Sequence, residues 1–503
     1  MKYLLGCDFG GGASKATLLG EDGRVVATAT HEYPTCYPRA GWAEQDPDDS
    51  FRALAANIRE LLSTSGVMAE QIEALALDGA THTAVLLDEE DRVIRPAIYW
   101  TDKRSGEEAA LLKRDYERTI VERTFNSPSA LWTLPQLMWL RTHEPENHAR
   151  IRKVLSMKDY VRYRLTGDFV TDSIEAMGFM LLDARENRWD PELLALCGLT
   201  EDVMPRVVDP QCVLGPILPR ALEETGLSPR TKVIAGSTDT VMEVYASGAI
   251  HTGQATLKLA TAGRICPITD HAILSPLLVT YRHVAKGLWY PGSATKSCAA
   301  SNRWYRDTLC HGEVLEAEAA GTDPYLLMSE AAAQAPAGCD GLFFHPYLQG
   351  EITPYLDDRL RGSFVGATAS HTKAHFNRAV LEGVGYSMKD CYEALQGLGI
   401  APASATIIGG GAKSPLWRQI IADMLNIPLV TVANVDSSLG SAMLAGVACG
   451  VFADLEDSVK KCVVVKAETR PNPETHALYE RNFRFYKRIH DALAPIYHDY
   501  EGQ

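Results

Sequence analysis

The stretch that decides the fold reads Tyr3-Leu4-Leu5-Gly6-Cys7-Asp8-Phe9-Gly10-Gly11-Gly12-Ala13-Ser14-Lys15. The apolar residues before Asp8 predict a buried strand, and residues 16–19 predict the strand that returns. The glycines therefore lie at the tip of a hairpin, whereas in a P-loop a strand leads into a helix through a pattern that ends Gly-Lys-Ser/Thr. After a turn at residues 20–23, residues 24–30 predict a third strand.

This hairpin has the chemistry of a phosphate site. Gly10, Gly11 and Gly12 can bring bare backbone N–H groups close to a phosphate. Asp8 at the base of the hairpin can hold Mg²⁺ directly or through water. Lys15 can reach a phosphate as a point charge. The alternative is a tight turn that carries a solvated aspartate and lysine.

Bulk properties limit the function classes. The 503 residues predict two or more domains, and the content of 46% hydrophobic and 22% charged residues is typical of soluble globular proteins. The net charge of -15, with no long Lys/Arg cluster, argues against a nucleic-acid partner. No secretory pattern and no run near the ~18 apolar residues of a membrane span is present, so we expect no membrane partner. Eleven cysteines without a Cys-x-x-Cys pair predict reduced thiols and a cytoplasmic location.

The order of predicted elements is duplicated along the chain. In the first half, a strand hairpin is followed by an amphipathic helix over residues 48–64 and a strand over 72–77. In the second half, a strand over 254–259 precedes a long helix over 375–398 and a strand over 405–408. We therefore predict an α/β fold with two domains, 1–245 and 246–490, and a C-terminal tail at 491–503.

Three small-residue loops lie at predicted strand ends, at residues 10–12, 260–263 and 409–412. Facing hairpins from two domains can hold a phosphate chain from both sides. The third loop leads to a helix with Ser414 as its N-cap and Pro415 as its first residue, which suits the nucleoside end of a nucleotide. Its alternative is a routine strand-to-helix turn.

Asp239 is the candidate catalytic base, because it follows the buried strand over 232–235. Phosphoryl transfer to an alcohol needs a carboxylate that orients the hydroxyl and accepts its proton. The alternative is that Asp239 or Thr240 only caps a helix, since residues 240–243 match a capping box.

Two further segments carry candidate sugar contacts. Thr81 and His82 follow a strand, where the histidine can contact a sugar hydroxyl or serve as a structural histidine. Trp100 can stack on a sugar face, while Asp102 and Arg104 can hydrogen-bond hydroxyls or each other. The alternative for that segment is a surface ion pair beside a core tryptophan.

Longer motifs, in order, resemble those of the FGGY carbohydrate kinases over essentially the whole chain, and within that family those of the xylulose kinases. They are Asp8-Phe9-Gly10 with Lys15, Gly41-Trp42-Ala43-Glu44-Gln45-Asp46-Pro47, the segment 96–104, Lys158-Asp159-Tyr160, Leu165-Thr166-Gly167-Asp168-Phe169, Pro346-Tyr347-Leu348-Gln349-Gly350-Glu351, the segment 378–384 and the loop 409–414.

The resemblance implies an actin-like, ribonuclease-H-like fold in two domains, with sugar and ATP meeting in a central cleft. It implies that domain 1–245 forms the sugar and phosphate side and domain 246–490 the nucleotide side. It implies ATP and Mg²⁺ as cofactors, with Asp239 as the base and Asp8 as the essential first-strand carboxylate, both at the metal. It places Thr81, His82, Trp100, Asp102, Asp239 and Thr240 at the sugar. It places Gly10, Gly11, Gly12, Lys15, Thr261, Gly263, Gly410, Gly411, Ala412 and Lys413 at ATP.

Two departures from the family pattern concern the sugar. Ala80 stands where xylulose kinases have glutamine, and Thr240 stands where they usually have asparagine. The expected activity is ATP-dependent phosphorylation of a primary hydroxyl of a small sugar, with D-xylulose and its 5-phosphate first. Kinases for an L-pentulose, a tetritol or a hexulose remain open, as do a non-catalytic sugar- or nucleotide-binding protein and an ATP-dependent chaperone on the same fold. The sequence also leaves open whether the chain is a monomer or a homodimer.

Overall fold

Two mixed β-sheets, one from each half of the chain, form the framework of the computed structural model, which describes residues 1–500. The first half contains strands β1 (Tyr3–Phe9), β2 (Ala13–Gly20), β3 (Val25–Glu32), β4 (Glu44–Gln45), β5 (Ile72–Gly79), β6 (Ala84–Leu87), β7 (Ala97–Ile98), β8 (Lys153–Ser156), β9 (Val170–Asp172), β10 (Leu182–Asp183), β11 (Arg188–Trp189), β12 (Arg206–Val208) and β13 (Lys232–Thr238). Its helices are α1 (Pro47–Ser65), α2 (Gly106–Thr124), α3 (Thr133–His143), α4 (Pro145–Ala149), α5 (Met157–Thr166), α6 (Pro191–Leu196), α7 (Pro219–Thr225) and α8 (Asp239–Ala246).

The second half repeats the alternation of strands and helices. Its strands are β14 (Gln254–Leu259), β15 (Gly263–Pro267), β16 (Val279–Arg282), β17 (Trp289–Thr295), β18 (Phe343–His345), β19 (Ser363–Val365), β20 (Ser404–Ile408), β21 (Leu429–Val432) and β22 (Val465–Thr469). Its helices are α9 (Ala299–Leu309), α10 (His311–Ala320), α11 (Pro324–Ala332), α12 (Lys373–Gly397), α13 (Pro415–Leu425), α14 (Ser437–Ala448), α15 (Leu455–Cys462) and α16 (Pro473–Asp499).

The two sheets share one topology. The first has the order β3-β2-β1-β5-β13, with β1 antiparallel to β2 and parallel to β5. The second has the order β16-β17-β15-β14-β20-β21-β22, so its central five strands repeat the connections of the first sheet. The predicted fold class, two ribonuclease-H-like domains, is therefore confirmed. The opening hairpin is also confirmed, since the register of β1 and β2 sets Asp8 opposite Lys15.

Helix α14 belongs to the second half of the chain but packs against the first sheet. A Cβ on Gly6 of β1 would lie 1.9 Å from Ser438 O, and one on Gly440 of α14 would lie 2.1 Å from Met242 O. Backbone therefore meets backbone at both points, and glycine is required by this close approach. We retain the domain division at residues 245 and 246 as a proposal, although the hydrophobic core crosses it through α14.

The predicted C-terminal tail begins inside a helix. Helix α16 runs without a break from Pro473 to Asp499, with Asn472 as its N-cap, so residues 491–499 continue that helix rather than form a tail. Residues 501–503 lie outside the described part of the chain. Among residues 1–500, no helix is both long enough and apolar enough to cross a bilayer.

Candidate active site

Carboxylates gather where the first sheet ends. Asp8 of β1 pairs in register with Asp78 of β5. Burial and the charge of Asp239 raise the pKa of Asp8 to about 7. Burial and the charge of Asp8 raise the pKa of Asp78 well above its usual range, and Asp78 Oδ2 accepts a hydrogen bond from Ser441 Oγ at 2.6 Å. The sequence analysis did not identify Asp78.

This cluster fits a magnesium ion that is shared with a nucleotide. Within residues 1–500, no group of three or more His, Cys, Asp or Glu side chains forms a ready-made metal cage. Magnesium bound with ATP needs only one or two carboxylates, because water and phosphate oxygens complete its shell. Asp8 Oδ1 is buried and has no hydrogen-bond partner among those residues. A cation beside it would relieve the repulsion between Asp8 and Asp239 that raises the Asp8 pKa.

Side chains hold the glycine hairpin in place by donating hydrogen bonds to its carbonyl groups. Tyr33 Oη donates to Gly10 O at 2.7 Å, and Gln45 Nε2 donates to Gly11 O at 3.1 Å. The N–H groups of Gly11 and Gly12 donate to no acceptor within the described residues. The hairpin therefore presents unpaired N–H groups, as a phosphate-binding turn does.

Lys15 forms an ion pair with a residue from the other half of the chain. Its Nζ lies 2.9 Å from Asp436 Oδ2, and Asp436 is the N-cap of α14. This ion pair lowers the pKa of Asp436 despite the burial of that carboxyl. Asp436 was missed by the sequence analysis, because nothing near it in the sequence relates it to the first hairpin.

Asp239 is the first residue of α8, and it does not cap that helix. The N-cap is Thr238, whose Oγ1 accepts a hydrogen bond from Val241 N. The capping alternatives that started at Asp239 or Thr240 are therefore wrong by one or two residues, because the chain stays extended through Thr238. Asp239 Oδ1 accepts from Thr240 N and, at 3.1 Å, from Thr240 Oγ1. The half-buried carboxylate is left free to act in the cleft.

A cavity of about 250 Å³ lies beside Asp239 and has the size of a small sugar. Five of the six predicted sugar contacts line it, namely Thr81, His82, Trp100, Asp239 and Thr240. Gly10 and Gly11 of the glycine hairpin also line it. The opposite wall comes from β15, β16 and β17 of the second half, through Arg264, Cys266, Tyr281 and Tyr290. The sequence analysis missed that wall, although the period of two in β15 sets Arg264 and Cys266 on one face.

His82 is oriented by aromatic neighbours. Its backbone is left-handed, with φ 67°, and its ring meets the ring of Trp132 edge to face at 4.5 Å. Its Nε2 lies 3.1 Å from Tyr281 Oη. Burial, with a smaller effect of Arg264, lowers the pKa of His82 to about 3. At neutral pH the imidazole is therefore uncharged and can exchange hydrogen bonds with a sugar hydroxyl.

Asp102 does not line the cavity, and this corrects the prediction that it contacts the sugar. Its Oδ1 accepts from Arg104 Nε at 2.9 Å, and its Oδ2 accepts from Arg104 Nη2 at 2.7 Å and from Ala43 N. The Arg104 guanidinium lies 3.7 Å from the ring centroid of Trp42. Both carboxylate oxygens of Asp102 are therefore already used. The alternative, a surface ion pair beside a core tryptophan, is right about the ion pair but wrong about its place, because the pair is buried and Trp100 is exposed.

A second cavity, of about 570 Å³, has room for a nucleoside. Thr261, Gly410, Gly411 and Lys413, which the sequence analysis named as candidate ATP contacts, line it. The residues that the analysis missed come from α9 and from the start of α11, and include Asn302, Arg303 and Tyr325. As predicted, Ser414 caps α13, where its Oγ accepts from Trp417 N at 3.2 Å.

The other residues predicted at ATP do not line this cavity: Gly10, Gly11, Gly12 and Lys15 belong to the first hairpin, and Gly263 and Ala412 lie within the second half of the chain. Gly263 is buried at the start of β15, and a Cβ there would lie 2.5 Å from Met388 Sδ and 2.6 Å from Thr295 Cγ2. Ala412 is buried beneath the loop, and its carbonyl accepts from Arg418 Nη1 at 2.7 Å. Gly263 and Ala412 therefore lie beneath the two loops rather than at the surface of the cavity.

The two cavities share the hairpin of β14 and β15, since Thr261 lines the nucleotide cavity and Arg264 lines the sugar cavity. A sugar-sized and a nucleotide-sized cavity that share one hairpin, with a carboxylate that caps no helix in the sugar-sized one, are typical of a kinase that acts on a small hydroxyl compound.

Comparison with known proteins agrees with that class. The model of the N-terminal domain of the FGGY family of carbohydrate kinases matches residues 3–245, and that of the C-terminal domain matches residues 249–449. The chain therefore belongs to the FGGY family of carbohydrate kinases. It is 32% identical to a xylulose kinase of Escherichia coli K12, over 98% of this chain and 99% of that one. It is 30% identical to a xylulose kinase of Bacillus subtilis, over 97% of both chains.

Solved structures of carbohydrate kinases also superpose closely on this chain. A ligand-bound xylulose kinase of Lactobacillus acidophilus superposes with a TM-score of 0.90 at 29% identity and covers 99% of both chains. A gluconate kinase of the same organism superposes with a TM-score of 0.91, also at 29% identity and 99% coverage of both chains. The chain is thus a carbohydrate kinase that uses ATP.

Proposed function

We propose that this kinase transfers the γ-phosphoryl group of MgATP to the terminal primary hydroxyl of a ketopentose, with D-xylulose as the first candidate and the 5-phosphate as the product. The observation that carries the proposal is the position of Asp239, which lines a sugar-sized cavity with a carboxylate that caps no helix. The names of the relatives support the choice of D-xylulose.

The chemistry follows from the residues at the cavity. Asp239 accepts the proton of the sugar hydroxyl as its oxygen attacks the γ-phosphorus, and ADP leaves on the opposite side. The free N–H groups of Gly11 and Gly12 bind phosphate oxygens, and Lys15 adds a positive charge. Magnesium, held by Asp8 and Asp239, would offset the negative charge of the phosphates.

Aromatic and hydroxyl groups orient the sugar. Trp100, which is 41% exposed at the cavity, offers a flat apolar face, while neutral His82 and Thr81 exchange hydrogen bonds with hydroxyls. Ala80 and Thr240 lack the amides that xylulose kinases usually carry there. Because a site built on hydrogen bonds discriminates strongly among hydroxyl patterns, these two residues are expected to relax or redirect the choice among pentuloses.

We also propose a cytoplasmic location. All eleven cysteines lie within the described residues, and each is free. Free thiols, most of them buried, suit a reducing compartment in which ATP is abundant.

The experiment is a coupled assay of ADP release with the four D- and L-pentuloses, and with tetritols and hexuloses alongside. We expect kinase activity on at least one pentulose, with D-xylulose among the substrates. If no pentulose reaches about a tenth of the kcat/KM of the best acceptor, the assignment to pentuloses is wrong. If D-xylulose alone is used, the roles given to Ala80 and Thr240 are wrong.

A further inference from the structure

A buried tyrosine packs on the glycine hairpin where that hairpin meets the sugar cavity. Tyr99 follows β7, is only 8% exposed, and lines the cavity together with Gly11 and Asp239. A Cβ on Gly11 would lie 2.7 Å from Tyr99 Oη and 3.3 Å from Tyr99 Cζ. The phenol group therefore contacts the hairpin at a position where any side chain in place of glycine would displace it.

The hydroxyl proton of Tyr99 has no acceptor among residues 1–500. Tyr99 Oη donates no hydrogen bond to any of those residues. The indole of Trp100 lies beside it, but an indole only donates and cannot accept this proton. Burial raises the pKa of Tyr99 above the usual tyrosine range, an effect that the Trp100 donor opposes and the charge of Asp239 supports. At physiological pH the phenol is therefore neutral and has a proton to donate.

The hairpin does not need Tyr99 to hold its shape. The carbonyl groups of all three hairpin glycines already accept hydrogen bonds from other residues. Tyr33 supplies two of these bonds, from its Oη to Gly10 O at 2.7 Å and from its N to Gly12 O at 3.0 Å. The two tyrosines at the hairpin therefore differ, because the hydroxyl of Tyr33 is used inside the protein and that of Tyr99 is left for a ligand.

One phosphoryl group can reach both Tyr99 Oη and the free N–H of Gly11. The Cβ of a residue lies about 2.5 Å from its own nitrogen, so Tyr99 Oη is at most about 5 Å from Gly11 N. Hydrogen bonds to charged phosphate oxygens are about 2.6–2.9 Å long. A single phosphate oxygen, or two oxygens of one phosphoryl group, can therefore accept from both donors.

The charges nearby favour a phosphoryl group as the acceptor. The carboxylates of Asp239 and Asp8 both act on the Tyr99 hydroxyl. In the proposed reaction the phosphoryl group lies here, between the attacking oxygen at Asp239 and the N–H groups of the hairpin. An arginine or a lysine at this point would pair with Asp239 and occupy the base. A neutral hydroxyl binds phosphoryl oxygens and leaves that carboxylate free.

We propose that Tyr99 is a further catalytic residue, whose hydroxyl donates a hydrogen bond to a non-bridging oxygen of the phosphoryl group as that group passes from ATP to the sugar. The inference rests on the proposed function, because it requires the γ-phosphoryl group at the Gly11 hairpin and the acceptor hydroxyl at Asp239. Tyr99 keeps its proton, and the bonds that form and break are those of the phosphoryl transfer. A donor aimed at the phosphoryl oxygens in the transition state acts on kcat more than on KM for the sugar.

The first test compares wild type with Tyr99→Phe, and uses Tyr116→Phe, a change at a tyrosine of α2 that is 39% exposed, as the control. Sugar phosphate formation is measured with ATP and the best pentulose. Tyr99→Phe should lower kcat by about 10–10²-fold and change KM for the sugar by less than about threefold. Its melting temperature should match wild type, because no hydrogen bond inside the protein is lost. Tyr116→Phe should match wild type throughout.

A binding measurement gives a readout without turnover. Calorimetry with MgADP and aluminium fluoride, a mimic of the transferred phosphoryl group, is carried out in the absence of sugar. Tyr99→Phe should weaken binding of this pair by about tenfold or more and leave binding of MgADP alone unchanged.

The contact itself is tested by melting temperatures of Gly11→Ala with and without Tyr99→Phe. Gly11→Ala sets a methyl group 2.7 Å from Tyr99 Oη and should melt lower than wild type. Removal of the hydroxyl leaves Cζ as the nearest tyrosine atom, at 3.3 Å, so the double variant should recover part of that loss. If it recovers nothing, the phenol does not pack on Gly11 and the inference is wrong.

Other outcomes separate the hypotheses. If wild type phosphorylates a pentulose and Tyr99→Phe stays within about threefold of its kcat, the inference is wrong and the proposed function stands. If KM for the sugar rises about tenfold while binding of MgADP with aluminium fluoride is unchanged, Tyr99 serves the sugar and the inference is also wrong. If wild type phosphorylates no acceptor, the proposed function itself fails. Should Tyr99→Phe not fold, 3,5-difluorotyrosine at position 99, which keeps the hydroxyl and makes it a stronger donor, decides the question, since an unchanged kcat would overturn the inference.

Discussion

Lys15 Nζ lies 2.9 Å from Asp436 Oδ2, although 421 positions separate the two residues in the chain. The pair joins the glycine hairpin of the first sheet to the start of α14. Because the side chains are 38% and 28% exposed, the pair contributes well under about 1 kcal/mol to stability. Since the pair adds little to stability and lies beside the glycine hairpin, we propose that Lys15 serves ATP more than it serves the fold.

Replacing Lys15 tests that role. Lys15→Met should raise KM for ATP by about tenfold or more, because a phosphate loses a charge-assisted contact. Asp436→Asn is the matched change, since asparagine keeps the N-cap of α14 and leaves the lysine in place. It should change KM for ATP by less than about threefold. Equal effects of the two variants on KM, with matching losses of melting temperature, would show that the ion pair is only structural.

Asp8 gives a prediction about pH and stability. Its pKa in the folded protein is about 7, above the ordinary value of ~3.9 for an unfolded chain. Between those pH values the folded state holds more protons than the unfolded state, so this carboxyl makes stability fall as pH rises from about 4 to 7. Asp8→Asn removes that effect. The variant should lose turnover and yet melt higher than wild type at pH 8, with a smaller difference at pH 5.

The measurement is the melting temperature of both proteins from pH 5 to pH 8 in buffers with a chelator. The chelator matters because bound magnesium would stabilise the ionised form of Asp8. If the melting temperature of wild type rises relative to that of Asp8→Asn as pH increases, the assigned repulsion between Asp8 and Asp239 is contradicted.

The contact between α14 and α8 gives a prediction about the core. Gly440→Ala would set a methyl group 2.1 Å from Met242 O, where backbone has to move. We expect a loss of more than about 3 kcal/mol of unfolding free energy, or failure to accumulate folded protein. Gly397→Ala is the control, since a Cβ at that position of α12 meets no atom within 4 Å. Its melting temperature should be unchanged or slightly raised. A Gly440→Ala protein as stable as wild type would show that α14 does not pack as described.

Several elements could be predicted from the sequence, because the residues that determine them are close together in the chain. The apolar run before Asp8 and the return after Ala13 fix the β1–β2 hairpin, and Ser414 with Pro415 fixes the start of α13. Each of these features depends on neighbours within a few positions.

The missed residues depend on contacts between distant segments. Asp436, Arg264 and Tyr281 reach the cleft through α14, β15 and β16, and no periodicity near them shows which cavity they face. Asp102 was placed at the sugar because its sequence motif does not reveal that Arg104 and Ala43 N take both of its oxygens.

The central claim is that Asp239 accepts the proton of a sugar hydroxyl, and the most direct measurement is turnover by Asp239→Asn. Asparagine keeps an oxygen for the hydrogen bonds from Thr240, and the cap of α8 is Thr238, so the fold should persist. ADP and sugar phosphate are measured together, the second by mass spectrometry, with ATP and D-xylulose or the best acceptor found. We predict that kcat falls by about 10²–10⁴-fold at an unchanged melting temperature. A variant within about threefold of wild type in sugar phosphate formation would contradict the account.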